Sequence, residues 1–219
     1  MAADRTIEVD TPQGPGRFYL RDAETPQALL IMGHGAGGGV DAVDLSVLAS
    51  RLPSHGITVA RFEQPWRTAG KKVASPPPKL DIAWNAAVPR LLVEQPDGLP
   101  YFFGGRSAGA RVACRTAPEF DLVRGVVCCA FPLHPPGRPE RSRADELLGA
   151  GVPRLVLQGE RDTFGGTDEV RAATADDPAI KIVKVPGADH SMKTTKNGPI
   201  TPAELRELIT DSVINFVLD

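Results

Sequence analysis

YFFGGRSAGARVA, residues 101–113, decides how the rest of the chain is read. Aromatic residues run into a glycine pair, and Ser107 stands alone inside Gly105-Arg106-Ser107-Ala108-Gly109. The first part has the composition of a short buried strand, and a helix is predicted over Ala108–Ala117. A sharp strand-to-helix turn projects a side chain at its tip, and flanking glycines keep other side chains clear of it. Ser107 is therefore either a nucleophile or a small residue in a glycine-rich loop, and the neighbouring segments must decide.

Working outward, RTIEV and RFYLR flank the Thr-Pro-Gln-Gly-Pro-Gly turn cluster and predict an antiparallel hairpin. Beyond it, ALLIMGHG, ITVARFEQP, LPYFFGGRS, RGVVCCAFP, PRLVLQGE and IKIVKVPG are unbroken apolar runs, as strands covered on both faces require. Helices are predicted between them at Val43–Leu52, Leu80–Val93, Ala108–Ala117, Asp168–Thr174 and Pro202–Val217. The last opens with Thr201, Pro202 and Glu204, a cap, a first-position proline and an early negative charge. The alternation predicts an α/β fold, a doubly wound, mostly parallel sheet with an N-terminal antiparallel hairpin. Two proline-rich stretches, Gln64–Lys79 and Pro132–Ser142, read as stiff loops, and Pro132–Ser142 is too short for a helical lid. With no repeat and no dividing linker, residues 1–219 are read as one domain without a cap.

A serine hydroxyl needs a base to take its proton and a carboxylate to hold that base in the right tautomer. KIVKVPGADHSMK places His190 directly after a predicted late strand, whereas His55 lies in a Ser-His-Gly helix stop. PRLVLQGERDTFG ends the preceding strand with Glu160 and Asp162. Asp162 is preferred, because Gly159-Glu160-Arg161 makes the turn and leaves Asp162 at the loop tip; Glu160 is the alternative. Serine, acid and histidine then follow in the order expected when all three stand at strand ends of an open sheet.

LLIMGHGAGGG supplies the remaining part. His34-Gly35-Ala36-Gly37-Gly38-Gly39 lets backbone approach a reacting carbonyl, and the Ala36 and Ala108 N–H groups are the candidate oxyanion donors. A phosphate cradle for a dinucleotide is the rival reading. The spaced Gly-x-Gly-x-x-Gly pattern and an acidic residue ending the next strand are both missing, so it is set aside.

Composition closes off other classes. The formal charge of −2 gives no reason to invoke nucleic acid, and no apolar run reaches the ~20 residues of a membrane span. The acidic, polar MAADRTIEVD is unlike an export signal, so a cytoplasmic protein is expected. Cys114, Cys128 and Cys129 lack zinc spacing and read as small core residues, with Cys128 and Cys129 on opposite faces of their strand. Met32 and Met192 read as packing residues. No metal and no organic cofactor is implied, and nothing specifies a protein partner.

With HGAGG, GGRSAG, LVLQGERD and PGADHSM in this order, the chain resembles the α/β-hydrolase superfamily over nearly its whole length. The nearer likeness is to the small cap-less branch of KANL3/Tex30-like hydrolases, close to dienelactone-hydrolase-like enzymes, with FPLHPPG (Phe131–Gly137) as a further shared feature. The resemblance implies a triad of Ser107, Asp162 and His190 with Ala36 and Ala108 as oxyanion donors. Dienelactone hydrolases carry cysteine where this chain has Ser107, so their lactone chemistry is not carried over. The expectation is hydrolysis of a carboxylic ester or thioester of a small or short-chain acyl substrate through an acyl-enzyme. Activity should fall in acid as His190 takes up a proton. Gly35, Arg106, Trp66 and His134 are candidate substrate contacts. Arg67, Lys71, Lys72, Arg106, Arg138, Arg141 and Arg143 are candidates for a cationic rim around the site. The competing functions are a non-enzymatic interaction module that keeps the fold, and a peptidase or acyltransferase using the same residues.

Overall fold

A computed structural model describes residues 4–175 and 177–219. The first three residues of the N-terminal stretch read above, and residue 176, lie outside the described part. Eight strands form one sheet: β1 (Arg5–Thr11), β2 (Gly14–Arg21), β3 (Ala28–Gly33), β4 (Ile57–Glu63), β5 (Tyr101–Arg106), β6 (Val123–Cys129), β7 (Arg154–Gly159) and β8 (Ile180–Val185). Their order is β1-β2-β4-β3-β5-β6-β7-β8. The first two pairings are antiparallel and all later ones parallel, as expected of a doubly wound sheet with an N-terminal hairpin. Strands β3, β5 and β7 are buried at every position, which accounts for their unbroken apolar sequences. β8 differs from that expectation. It is an edge strand whose exposed Lys181 and Lys184 discourage pairing with a further chain.

Helices α1 (Val43–Arg51), α2 (Pro65–Thr68), α3 (Pro77–Leu92), α4 (Ala108–Thr116), α5 (Ala144–Leu148), α6 (Thr167–Ala173) and α7 (Pro202–Leu218) connect the strands. On one face, Trp84 and Val88 of α3 and Val112 of α4 pack with Leu29, Ile31 and Phe103. On the other, Leu45 and Leu48 of α1 and Ile209 and Val213 of α7 pack with Leu30, Met32 and Leu157. Cys128 falls in the first layer and Cys129 in the second, as the alternation along β6 requires. All three cysteines are buried and free. The predicted cap of α7 is present, with Glu204 N–H donating to Thr201 Oγ1 and Thr201 N–H donating to Glu204 Oε2.

Two proline readings are corrected. Ser75-Pro76-Pro77-Pro78 is no loop over the sheet, because α3 already begins at Pro77. The first turn of a helix has no partner for its N–H groups, so successive prolines are tolerated there and preset φ. In the hairpin, Gly14-Pro15-Gly16 belongs to β2 rather than to the turn. Pro15 lies outside the segment Arg17–Arg21 that pairs with β4, and Gly16 lies under the Phe62 ring, where a Cβ would come within 2.7 Å. Among the described residues no insertion forms a cap, and Pro132–Ser142 is a loop leading to the short α5.

Candidate active site

Three glycines let the Ser107 turn form. A Cβ on Gly109 would lie 2.2 Å from the Gly33 carbonyl oxygen, and one on Gly105 would lie 2.4 Å from the Gly109 carbonyl carbon. The first turn of α4 therefore rests directly on the ends of β3 and β5, with no side chain between backbones. Gly109→Ala is expected to lower unfolding stability by about 3 kcal/mol, since the obstructing atoms are main chain and cannot rotate away. Urea denaturation measures it, and a loss near zero contradicts the close contact.

Ser107 itself has φ 53° and ψ −112°, a left-handed conformation that a residue with a Cβ adopts only at a cost of about 1–3 kcal/mol. Its N–H donates to Cys129 O at 3.0 Å, fixing the strained residue to the end of β6. The Ser107 Oγ lies 2.9 Å from His190 Nε2. His190 Nδ1 lies 2.8 and 3.0 Å from the two oxygens of Asp162. A carboxylate only accepts, so Nδ1 carries the proton and Nε2 is left to accept from the serine hydroxyl. Asp162 has a fully buried side chain, and its charge is met by the Phe164 N–H at 2.8 Å and Gln158 Nε2 at 3.1 Å. The Phe164 ring stacks on the imidazole with centroids 4.1 Å apart. Glu160 is turned away, accepting from Gly187 N–H and pairing with Lys184 at the surface.

The glycine loop after β3 borders Ser107. A Cβ on Gly35 would come within 3.4 Å of Ser107 Cβ and 3.2 Å of Arg106 Nη1. Within the described residues, the Ala36 and Ala108 N–H groups meet no protein acceptor. His34 holds this loop. Gln64 N–H donates to its Nε2 at 3.1 Å, so Nδ1 bears the proton and donates to Gly35 O at 2.8 Å. Carbonyl and N–H of one trans peptide point in opposite directions, so this bond aims the Ala36 N–H away from the His34 ring.

Burial pushes the His34 imidazole below its ordinary value of 6.5. The unfolded chain then binds a proton that the folded chain refuses. His34 thus contributes stability above its ordinary value that is lost as pH falls towards the depressed one. Denaturation of wild type and His34→Ala at about pH 7.5 and about pH 5 checks this, with the smaller loss of stability expected in the variant. Equal losses in both contradict it.

Two cavities meet at Ala36. A pocket of only about 10 Å³ is bounded by Ala36, Ala108, Trp66, Ala74, Leu80 and Val112. An outer cleft of about 500 Å³ is bordered by Ser107, His190, Phe164, Arg106 and Lys193. Of the candidate substrate contacts, Gly35 and Trp66 line the small pocket and Arg106 the cleft. His134 is not brought to either. Its Nδ1 bonds the Pro135 carbonyl and its Nε2 faces Glu169 at 3.3 Å, and only its backbone N–H, donating to Phe164 O, reaches the site's surroundings. Of the proposed cationic rim, Arg106 alone borders the cleft; Arg67 approaches Gly39, and Arg143 donates to the Pro132 carbonyl.

The fold and this arrangement define a class. The family profile described as an alpha/beta hydrolase domain matches residues 26–218, and the chain belongs to that family. Similar solved structures include an alpha/beta serine hydrolase homologue from Coxiella burnetii, with 17% identity, TM-score 0.75 and coverage of 97% of this chain and 99% of that one. A lid-less alpha/beta serine hydrolase from Xanthomonas campestris has 19% identity and TM-score 0.74, covering 100% and 97%. Est1E from Butyrivibrio proteoclasticus has 15% identity and TM-score 0.73, covering 98% of each chain. At these identities the likeness is one of fold.

Proposed function

We propose that residues 1–219 act as one domain, a cytoplasmic serine hydrolase that cleaves carboxylic esters or thioesters of small acyl groups through an acyl-enzyme. Family membership supports hydrolysis, and the narrower likeness to the KANL3/Tex30-like branch belongs to the same proposal. The observation that carries the reading is the unbroken hydrogen-bonded chain from Ser107 through His190 to Asp162.

In this mechanism the Ser107 oxygen attacks the substrate carbonyl carbon while His190 Nε2 takes the hydroxyl proton. The imidazolium that forms is stabilised by Asp162, which the Phe164 N–H and Gln158 Nε2 hold in place against it. Negative charge on the carbonyl oxygen is met by the Ala36 and Ala108 N–H groups, which have no acceptor among the described residues to give up. Collapse breaks the bond to the leaving alcohol or thiol, which departs with the proton from Nε2. Water then repeats the sequence on the acyl-serine and restores the free hydroxyl.

The small pocket beside the two oxyanion donors has room for little more than a water-sized group, and the roomy cleft borders Ser107 itself. An acyl chain near the size of acetyl therefore fits inward, with the leaving group outward. A series of p-nitrophenyl esters and matching thioesters tests this. The kcat/KM is expected to be highest for acetyl or propionyl and to fall with length. No turnover of any ester or thioester, or a preference for long chains, contradicts the reading.

A further inference from the structure

We propose that Arg106 and Asp44 form a second tether for His190, one that holds its main chain while Asp162 holds its ring; this rests on the reading of His190 as the base. Arg106 ends β5 and immediately precedes Ser107. Its Nε lies 3.2 Å from Asp44 Oδ2, and its Nη2 donates to the carbonyl oxygen of His190. Asp44, in the first turn of α1, has no exposed side-chain surface, and the Arg106 side chain is only 11% exposed. Asp44 Oδ1 accepts the Leu45 N–H at 3.0 Å, while its buried Oδ2 accepts no hydrogen bond and meets the guanidinium as an ion pair.

Taking both charges out of water costs several kcal/mol each, and an apolar pair of similar volume is often as stable. The return on such a pair is placement. Other contacts order the His190 loop within itself, through Asp189 Oδ1 accepting the Ser191 and Lys193 N–H groups, or tie it to the segment after β7, through Arg161 N–H donating to Ala188 O and Gly187 N–H donating to Glu160 Oε2. Arg106 instead ties that loop to the strand that carries the nucleophile, so one strand end sets both sides of the 2.9 Å serine–histidine contact. Asp44 has a second effect. Burial pushes the Asp44 carboxyl up while the Arg106 charge holds it down, and in its ionised form it offsets the guanidinium charge beside an imidazole that must itself become positive during the reaction.

Arg106 and Asp44 are thus positioning residues. Removing the arginine alone strands a buried carboxylate, so the informative variant is Arg106→Met with Asp44→Leu, which removes both charges together. It is expected to fold, as thermal melting reports, and to turn over p-nitrophenyl acetate with kcat about 10²-fold lower and KM little changed. In a His190→Ala background the same double replacement is expected to cause no further fall, because the tether acts only through that residue. Arg106→Lys, which keeps the charge but has no planar fork to span both partners, is expected to recover part of the rate. An unchanged kcat, or an equal fall in both backgrounds, overturns the proposal. A wild type without turnover defeats the functional reading itself, whereas an active wild type matched by the double variant defeats only the tether.

Discussion

Ser107→Ala is expected to lower kcat for p-nitrophenyl acetate by about 10⁶-fold, the loss seen when the nucleophile of a serine triad is deleted. The change removes one oxygen and nothing that holds the fold. Ser107 precedes α4 without a side-chain capping bond, so the helix loses no cap. Its strained backbone is held by the bond from its N–H to Cys129 O, which alanine retains. The small pocket and both free N–H groups also survive. Substrate binding and melting temperature should therefore stay near those of wild type while chemistry disappears. A variant that kept a tenth of the rate would show that the acyl group is not passed to this oxygen.

The second large effect is expected at Asp162. Asp162→Asn should lower kcat by about 10⁴-fold through the wrong histidine tautomer. Both oxygens of Asp162 accept: Oδ1 from Phe164 N–H and His190, and Oδ2 from Gln158 Nε2 and His190. An asparagine must point its NH₂ at one of these donor sets. If it faces Gln158 and the imidazole, it meets the donating Gln158 amide, and Nδ1 becomes the acceptor while Nε2 carries the proton, so Ser107 has no base. If it faces Phe164, one donor meets another in a buried site, and the imidazolium still lacks a counter-charge. Glu160→Gln is the internal comparison. Glu160 was the alternative acid in the sequence, and its exposed bond to Lys184 predicts an unchanged kcat. Ester kinetics on the two variants distinguish the carboxylates, and equal losses would count against the assignment.

Most of this site could be read in the letters because each part carries its own physical signature. The glycines around Ser107 mark backbone contacts that no Cβ could occupy, and His190 and Asp162 follow apolar runs that could only be strands. The supporting residues carry no such mark. Gln158 sits within LVLQG as a single polar letter, yet its amide donates to Phe131 O and Gly165 O as well as to Asp162. Asp44 looks like an ordinary early helix charge, and only the fold buries it beside Arg106. His34 was legible as part of a glycine loop, but its hold on Gly35 depends on the Gln64 N–H brought in from the end of β4.

Side-chain direction was the harder quantity. His134 lies among prolines in a loop near the site, but Glu169 and the Pro135 carbonyl draw its ring elsewhere. Proline clusters misled for a related reason. Pro76-Pro77-Pro78 has loop composition, while the missing N–H groups do no harm where a helix begins.

Mass mapping after treatment with a fluorophosphonate probe puts the central claim to its most direct test. Attack by the Ser107 oxygen on phosphorus expels fluoride and leaves a stable adduct on that residue. The account predicts one phosphonylated serine, Ser107, with labelling suppressed in His190→Ala. An untouched Ser107 in the folded wild-type protein, or an adduct carried by another side chain, would contradict it.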